Sequence, residues 1–164
     1  MAVSRRELLR NGWKVGGAFL GIALGWTMFE SLRPLTGGSN KAKIKLGNPA
    51  DFATDTSTYV NSGRLYVTNA GGQLFALSQK CPHLGCRVPY CDSSGRFECA
   101  CHGSIFDLGG EWIQGPSPRG MDQFKLSVES DVLYADTAVL IEGPPQGQQK
   151  FLTPPKGPSC IGKT

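Results

Sequence analysis

Two short motifs restrict the fold of this chain more than anything else in it: C-P-H-L-G-C from Cys81 to Cys86, and C-A-C-H-G-S from Cys99 to Ser104. Both of the chain's histidines, and four of its 6 cysteines, fall inside them. Thiol and imidazole side chains at this spacing read as metal ligands, with Cys81 and His83 as one donor pair and Cys99 and His102 as the other. A centre shared by two segments forces those segments to meet in space, whatever surrounds them.

Two kinds of centre match that donor set. Two thiolates and two imidazoles can close a tetrahedral zinc site. They can equally hold a 2Fe-2S cluster, with both cysteines on one iron and both histidines on the other. Cys86 and Cys101, one in each motif, separate the two cases: a four-ligand zinc site leaves them without a role, whereas a disulfide between them would tie the two loops together.

On these motifs the chain resembles the Rieske iron-sulfur proteins, in particular the membrane-anchored subunits of cytochrome bc and b-f type quinol oxidoreductases. The resemblance implies one 2Fe-2S cluster bound by Cys81, His83, Cys99 and His102, with Cys86 and Cys101 as a disulfide. It extends to Ser104, whose family counterpart donates a hydroxyl hydrogen bond to a bridging sulfide. It extends also to Gly115, Pro116, Ser117 and Pro118, which match a proline-rich loop that covers the cluster. Rieske ferredoxins and ring-hydroxylating dioxygenases share the four ligands and generally lack the two disulfide cysteines. One position departs from the pattern: high-potential members carry Tyr two residues after the cluster serine, where this chain has Phe106.

Composition sets the frame around the motifs. With 22 Gly and 11 Pro the head is expected to be a loop-rich all-β fold. The formal charge of +4 is modest. Arg5, Arg6, Arg10 and Lys14 cluster at the N-terminus, so the basic residues speak of membrane topology and give no nucleic-acid signature. From Val15 to Phe29 the chain is uncharged. A helix of that length spans about 22 Å, short of a hydrocarbon core of about 30 Å. Extension to 13–33, with Lys14 and Glu30 snorkelling, closes the gap and predicts an uncleaved transmembrane anchor. A cleavable signal peptide is the competing reading, but no A-x-A site follows and Leu32-Arg33-Pro34 is a poor cleavage context.

Residues 1–12 contain Ser4-Arg5-Arg6-Glu7-Leu8-Leu9-Arg10, similar to a twin-arginine export signal. That route carries folded proteins and so suits a cluster inserted in the cytoplasm. The expectation is a single-pass protein of the plasma membrane, with the N-terminus cytoplasmic and the head outside, where a disulfide persists. Residues 34–43, containing Thr36-Gly37-Gly38-Ser39, read as a linker, and by the resemblance as a hinge.

Within a head at 44–142, Arg64 to Asn69 and Leu74 to Ser78 predict a hairpin across Ala70-Gly71-Gly72. Gln123 to Glu129 and Val132 to Asp136 predict another across Ser130-Asp131, with Val139 to Glu142 as a further edge strand. Between the hairpins, about 80–120 forms the cluster-binding insertion, with a short strand from Arg96 to Cys99. Residues 143–164 are rich in Pro, Gly and polar residues and predict an extended or disordered tail. Cys91 and Cys160 stay open, either as free thiols or as a second disulfide pinning that tail.

The resemblance implies one-electron transfer coupled to a proton. Reduction adds a negative charge to a formally neutral cluster and favours proton uptake at the ligand histidines, with His102 or His83 meeting the quinol. Imidazole ligation also raises the potential well above the about −400 mV of all-cysteine plant-type clusters. The implied partners are quinol, a cytochrome b subunit and a c-type cytochrome. Phe106 cannot donate to a cluster sulfur as Tyr does, which points to menaquinol over ubiquinol. The alternative is the Rieske small subunit of an exported molybdenum oxidoreductase of arsenite-oxidase type.

Overall fold

In the computed structural model, which describes residues 4–32, 43–151 and 154–162, the chain divides into two units, Met1–Ser39 and Asn40–Thr164. The described part of the first is a helix, α1 (Arg5–Leu32), preceded by Ser4. It begins before the expected anchor, because Ser4 caps it: the hydroxyl oxygen accepts the Glu7 N–H at 3.3 Å and reaches the Glu7 carboxylate at 3.3 Å. The arginine pair therefore lies in the first helical turn. With 28 residues, α1 is long and apolar enough to cross a membrane. Trp13, Phe19, Leu20, Ile22, Leu24 and Trp26 are all exposed. The linker expected at 34–43 falls almost wholly outside the described residues.

The second unit contains two antiparallel sheets. Its strands are β1 (Lys43–Gly47), β2 (Thr56–Val60), β3 (Leu65–Ala70), β4 (Gln73–Ser78), β5 (Tyr90–Cys91), β6 (Arg96–Glu98), β7 (Ile105–Phe106), β8 (Trp112–Gln114), β9 (Gln123–Glu129) and β10 (Val132–Ile141). The base sheet runs β1-β10-β9-β4-β3-β2, and the smaller sheet, β5-β6-β7-β8, is inserted between β4 and β9. This is the mostly β base with an inserted subdomain that the motifs implied.

Turn chemistry sets both hairpins. Gly71 and Gly72 join β3 to β4 with positive φ at each, the backbone of a tight turn that matches strand twist. Ser130 and Asp131 adopt the same region between β9 and β10 without glycine. The separate edge strand expected at Val139 to Glu142 is corrected. Val139 to Ile141 continue β10 past an irregularity between Asp136 and Leu140, so that Leu140 still pairs with Phe124. A bulge keeps one long strand on its neighbour where the side-chain alternation breaks.

β3 and β4 form the wall between two cores. Side chains alternate across a strand, so Leu65, Val67 and Ala76 pack with Leu133 and Ala135 on one side. Tyr66, Ala70, Phe75 and Leu77 face the inserted sheet, where they meet Val88, Phe97, Phe106 and Met121. Each large apolar side chain so buried contributes about 1.5 to 3 kcal/mol. The second core seats the inserted sheet on the base, and Cys81 and Cys99 belong to it.

The disordered alternative for the tail is corrected too. Its described residues, 143–151 and 154–162, form no helix or named strand, yet they are bound along their length. The Gly120 N–H donates to the Pro144 carbonyl, and Arg119 bridges Pro145. The Lys150 and Phe151 N–H groups donate to the buried Glu111 carboxylate, and the Phe151 ring packs edge-on against Phe75. Farther on, the Ser159 hydroxyl and the Cys160 and Ile161 N–H groups converge on buried Glu98, and a disulfide joins Cys160 to Cys91. Buried carboxylates demand donors, and a polar, irregular chain supplies them.

Candidate metal centre

Both motif loops close by the same hydrogen bonds. In the first, the Cys81 N–H donates to the Cys86 carbonyl at 2.8 Å, and the Gly85 N–H to the Cys81 carbonyl at 2.9 Å. In the second, the Cys99 N–H donates to the Ser104 carbonyl at 2.8 Å, and the Gly103 N–H to the Cys99 carbonyl at 3.0 Å. Gly85 and Gly103, each four residues after the leading cysteine, take positive φ (78° and 74°), which an L side chain adopts only under strain. Two copies of one turn thus hold a cysteine at the root and a histidine near the tip.

The loops face each other. A disulfide joins Cys86 to Cys101, and the His83 and His102 rings meet edge to face with centroids 4.9 Å apart. Cys81 and Cys99 are free thiols, 3% and 2% exposed, at the floor. His102 is exposed, His83 half-buried, and Leu84 beside them is 70% exposed. The result is a site graded in depth, with thiols beneath imidazoles.

Its electrostatics call for a cation. Burial pushes the Cys81 thiol above its ordinary range and adjacent Cys99 pushes it further, while the His83 N–H and the Ser104 side chain act the other way. Two neighbouring buried thiols cannot both ionise unless positive charge compensates them. Iron bound between them supplies it, so the donor set fits a cluster ligated by sulfur below and nitrogen above.

Ser104 is buried, its oxygen accepting the Ser117 N–H at 3.1 Å. That bond seats the Gly115 to Pro118 turn on the second motif loop. At Gly115 the contact is so close that a Cβ would stand 2.5 Å from the Ser104 Cα. The backbone there has φ +94°, so glycine satisfies both sterics and conformation. Phe106 is fully buried in the core that includes Cys81 and Cys99.

Sequence reasoning missed the buried carboxylates Glu98, Asp107 and Glu111, and left the pairing of Cys91 with Cys160 open. Parity was the available signal for the latter, since two ligand cysteines and one bridge leave a pair over. For the carboxylates there was none, because an isolated Glu reads as surface.

Residues 42–125 match the Rieske [2Fe-2S] domain family. The cytochrome b6-f complex iron-sulfur subunit of Chlorobaculum thiosulfatiphilum is 40% identical over 78 residues, which cover 48% of this chain and 43% of that protein. The subunit of the same name from Prochlorococcus marinus (strain MIT 9312) is 32% identical over 136 residues, covering 71% of this chain and 76% of that one. Among solved structures, the plasma membrane Rieske protein of Synechocystis PCC 6803 is 26% identical, with 56% of this chain and 97% of that one covered and a TM-score of 0.45. The chain therefore belongs to the Rieske family, binds a 2Fe-2S cluster and serves electron transport.

Proposed function

We propose that this protein is the electron-transfer subunit of a cytochrome bc or b6-f type complex, taking electrons from quinol and passing them to a c-type cytochrome. Cys81 and Cys99 would hold one iron, and His83 and His102 the other. The observation that carries this reading is the depth of the site: two thiols at the floor, two imidazoles above them and an exposed His102. When bound, the cluster supplies one-electron chemistry at a potential raised by imidazole ligation. His102 offers a hydrogen bond acceptor to a quinol hydroxyl and takes its proton as the electron leaves the quinol. Half-buried His83 is the second candidate for that contact. The buried thiols exclude water from the sulfur side of the site.

Relatives that are subunits of b6-f complexes support a cytochrome b subunit and a c-type cytochrome as partners. Helix α1 supports a single-pass anchor, and Arg5, Arg6, Arg10 and Lys14 support a cytoplasmic N-terminus with the head outside the plasma membrane. The same arginines support twin-arginine export, and two disulfides suit an oxidising exterior. Purification of the native assembly should yield b-type haem together with the 2Fe-2S signal. A cluster-bearing assembly with molybdenum and no b-type haem would overturn the reading.

The ligands are tested separately. His83→Cys and His102→Cys should each alter or abolish the rhombic paramagnetic signal of the reduced protein, because nitrogen ligation distinguishes this cluster from all-thiolate ones. An unchanged spectrum in either variant removes that histidine from the ligand set.

Phe106 bears on the quinol. It lacks the hydroxyl that Tyr would direct at a ligand sulfur, and hydrogen bonds to sulfur stabilise the more negative reduced state. The cluster is therefore matched to a low-potential quinol, menaquinol rather than ubiquinol. Phe106→Tyr should raise the midpoint potential. An unchanged potential, with the new hydroxyl seated against the Cys81 sulfur, shows that another feature sets it.

A further inference from the structure

The tail from Gly143 lies beyond the stretch matched to the family, and its first turn lies against the loop at Gly115 to Pro118. Gly143 makes the approach possible, since a Cβ there would stand 2.2 Å from the Gly120 carbonyl oxygen. Pro145, Gln146, Gly147 and Gln148 form a tight turn closed by the Gln148 N–H on the Pro145 carbonyl at 3.3 Å, with Gly147 at φ 80°. The turn presents Gln146, whose amide Nε2 donates to the Ser117 carbonyl at 2.6 Å.

Ser117 is fully buried and held on every side. Gln146 takes its carbonyl, its hydroxyl donates to the Arg119 carbonyl at 2.8 Å, and its N–H donates to the Ser104 oxygen at 3.1 Å. A serine hydroxyl has one proton to give. By accepting from Ser117, the Ser104 oxygen has the direction of its own proton fixed, and the Ser104 side chain acts on the neighbouring Cys81 thiol, favouring its ionised form. Hydrogen bonds at its carbonyl and its N–H therefore tie Ser117 to an exposed tail side chain on one side and to Ser104, beside a buried thiol, on the other.

We propose that Gln146 is a positioning residue for the cluster. By holding the Ser117 carbonyl it fixes the backbone of the residue whose N–H orients the Ser104 hydroxyl, and so tunes the potential at which the protein exchanges electrons. This rests on the cluster reading given above. Gln146 touches no ligand, and its effect passes through Ser104.

Redox titration of the full-length, cluster-loaded protein tests the proposal with Gln146→Met, Ser104→Ala and the double variant at one pH. Met keeps the length of the side chain and removes the donor. Gln146→Met should lower the midpoint potential by part of the shift that Ser104→Ala produces, move the paramagnetic g-values in the same direction and speed exchange of the Ser117 amide. In the Ser104→Ala background it should add nothing, because residues acting through one bond are not additive. A wild-type potential in Gln146→Met beside a lowered one in Ser104→Ala overturns the positioning role and leaves the cluster reading intact. Additive shifts in the double variant overturn it too, by showing that Gln146 acts elsewhere. An unchanged potential in Ser104→Ala removes the serine from the site and the proposal with it.

Discussion

Serine substitution of both Cys91 and Cys160 is expected to lower the stability of the head by about 4 kcal/mol. Their disulfide spans a sequence separation of 69 residues, against 15 for the Cys86 to Cys101 bridge. In the chain-entropy account a longer closed loop removes more freedom from the unfolded state, and the shorter bridge is worth about 3 kcal/mol on the same scale. The folded tail keeps its other attachments at Glu98 and Glu111, so the loss falls on the unfolded chain more than on native contacts. Urea unfolding of the double variant against wild type in oxidising buffer measures it. A difference below about 1 kcal/mol would show that this closure does not stabilise the head in the way loop entropy requires.

The second large effect follows pH. Asp107 is 1% exposed, and burial is the foremost cause that raises its carboxyl from 3.8 to about 7. The negative charge of Glu111 pushes the same way, against the N–H groups of Glu111 and Gly109, which favour the ionised form. One carboxylate oxygen of Asp107 is buried with no hydrogen-bond partner among the described residues, while Glu111 is engaged with the tail. The folded protein thus holds a proton that the unfolded chain releases near pH 4. Stability from this group is full below about pH 4, falls as pH rises towards 7, and is flat beyond; the loss across that window is about 4 kcal/mol. Asp107→Asn keeps an oxygen to accept the Glu111 N–H, now bonded to Asp107 at 2.8 Å, and carries no charge. The variant should match wild type near pH 4 and exceed it by a few kcal/mol at pH 8. Parallel pH profiles for the two proteins would show that Asp107 ionises freely in the fold.

The two effects belong to parts of the molecule that were unequally legible in the sequence. Each motif loop is closed by bonds between residues at most five apart, with a glycine in the same place, so its form follows from local sequence. The β3–β4 hairpin was visible for the same reason, through Gly71 and Gly72. The Ser130-Asp131 turn was visible through the apolar alternation on either side of it. Helix α1 was visible as an uncharged run, but the turns ahead of the expected anchor were not, because the Ser4 and Glu7 pair was read as part of an export signal and not as a cap. β1 and β2 escaped because short, half-exposed strands take their identity from the neighbour they pair with.

The motifs by themselves pointed to two cysteine and histidine loops sharing a metal centre, because ligand type and spacing are local properties of the chain. What only the tertiary structure decided is how the rest of the molecule holds that centre. Cys91 finds Cys160 across most of the head, Glu98 and Glu111 find donors in a tail that carries no periodic signal, and Ser117 lies between Ser104 and Gln146. Composition predicted no regular secondary structure for that tail, and its described residues form no helix or named strand. It could not register that buried carboxylates elsewhere in the chain would need the tail's N–H groups, since such a demand exists only once folding has removed those carboxylates from water.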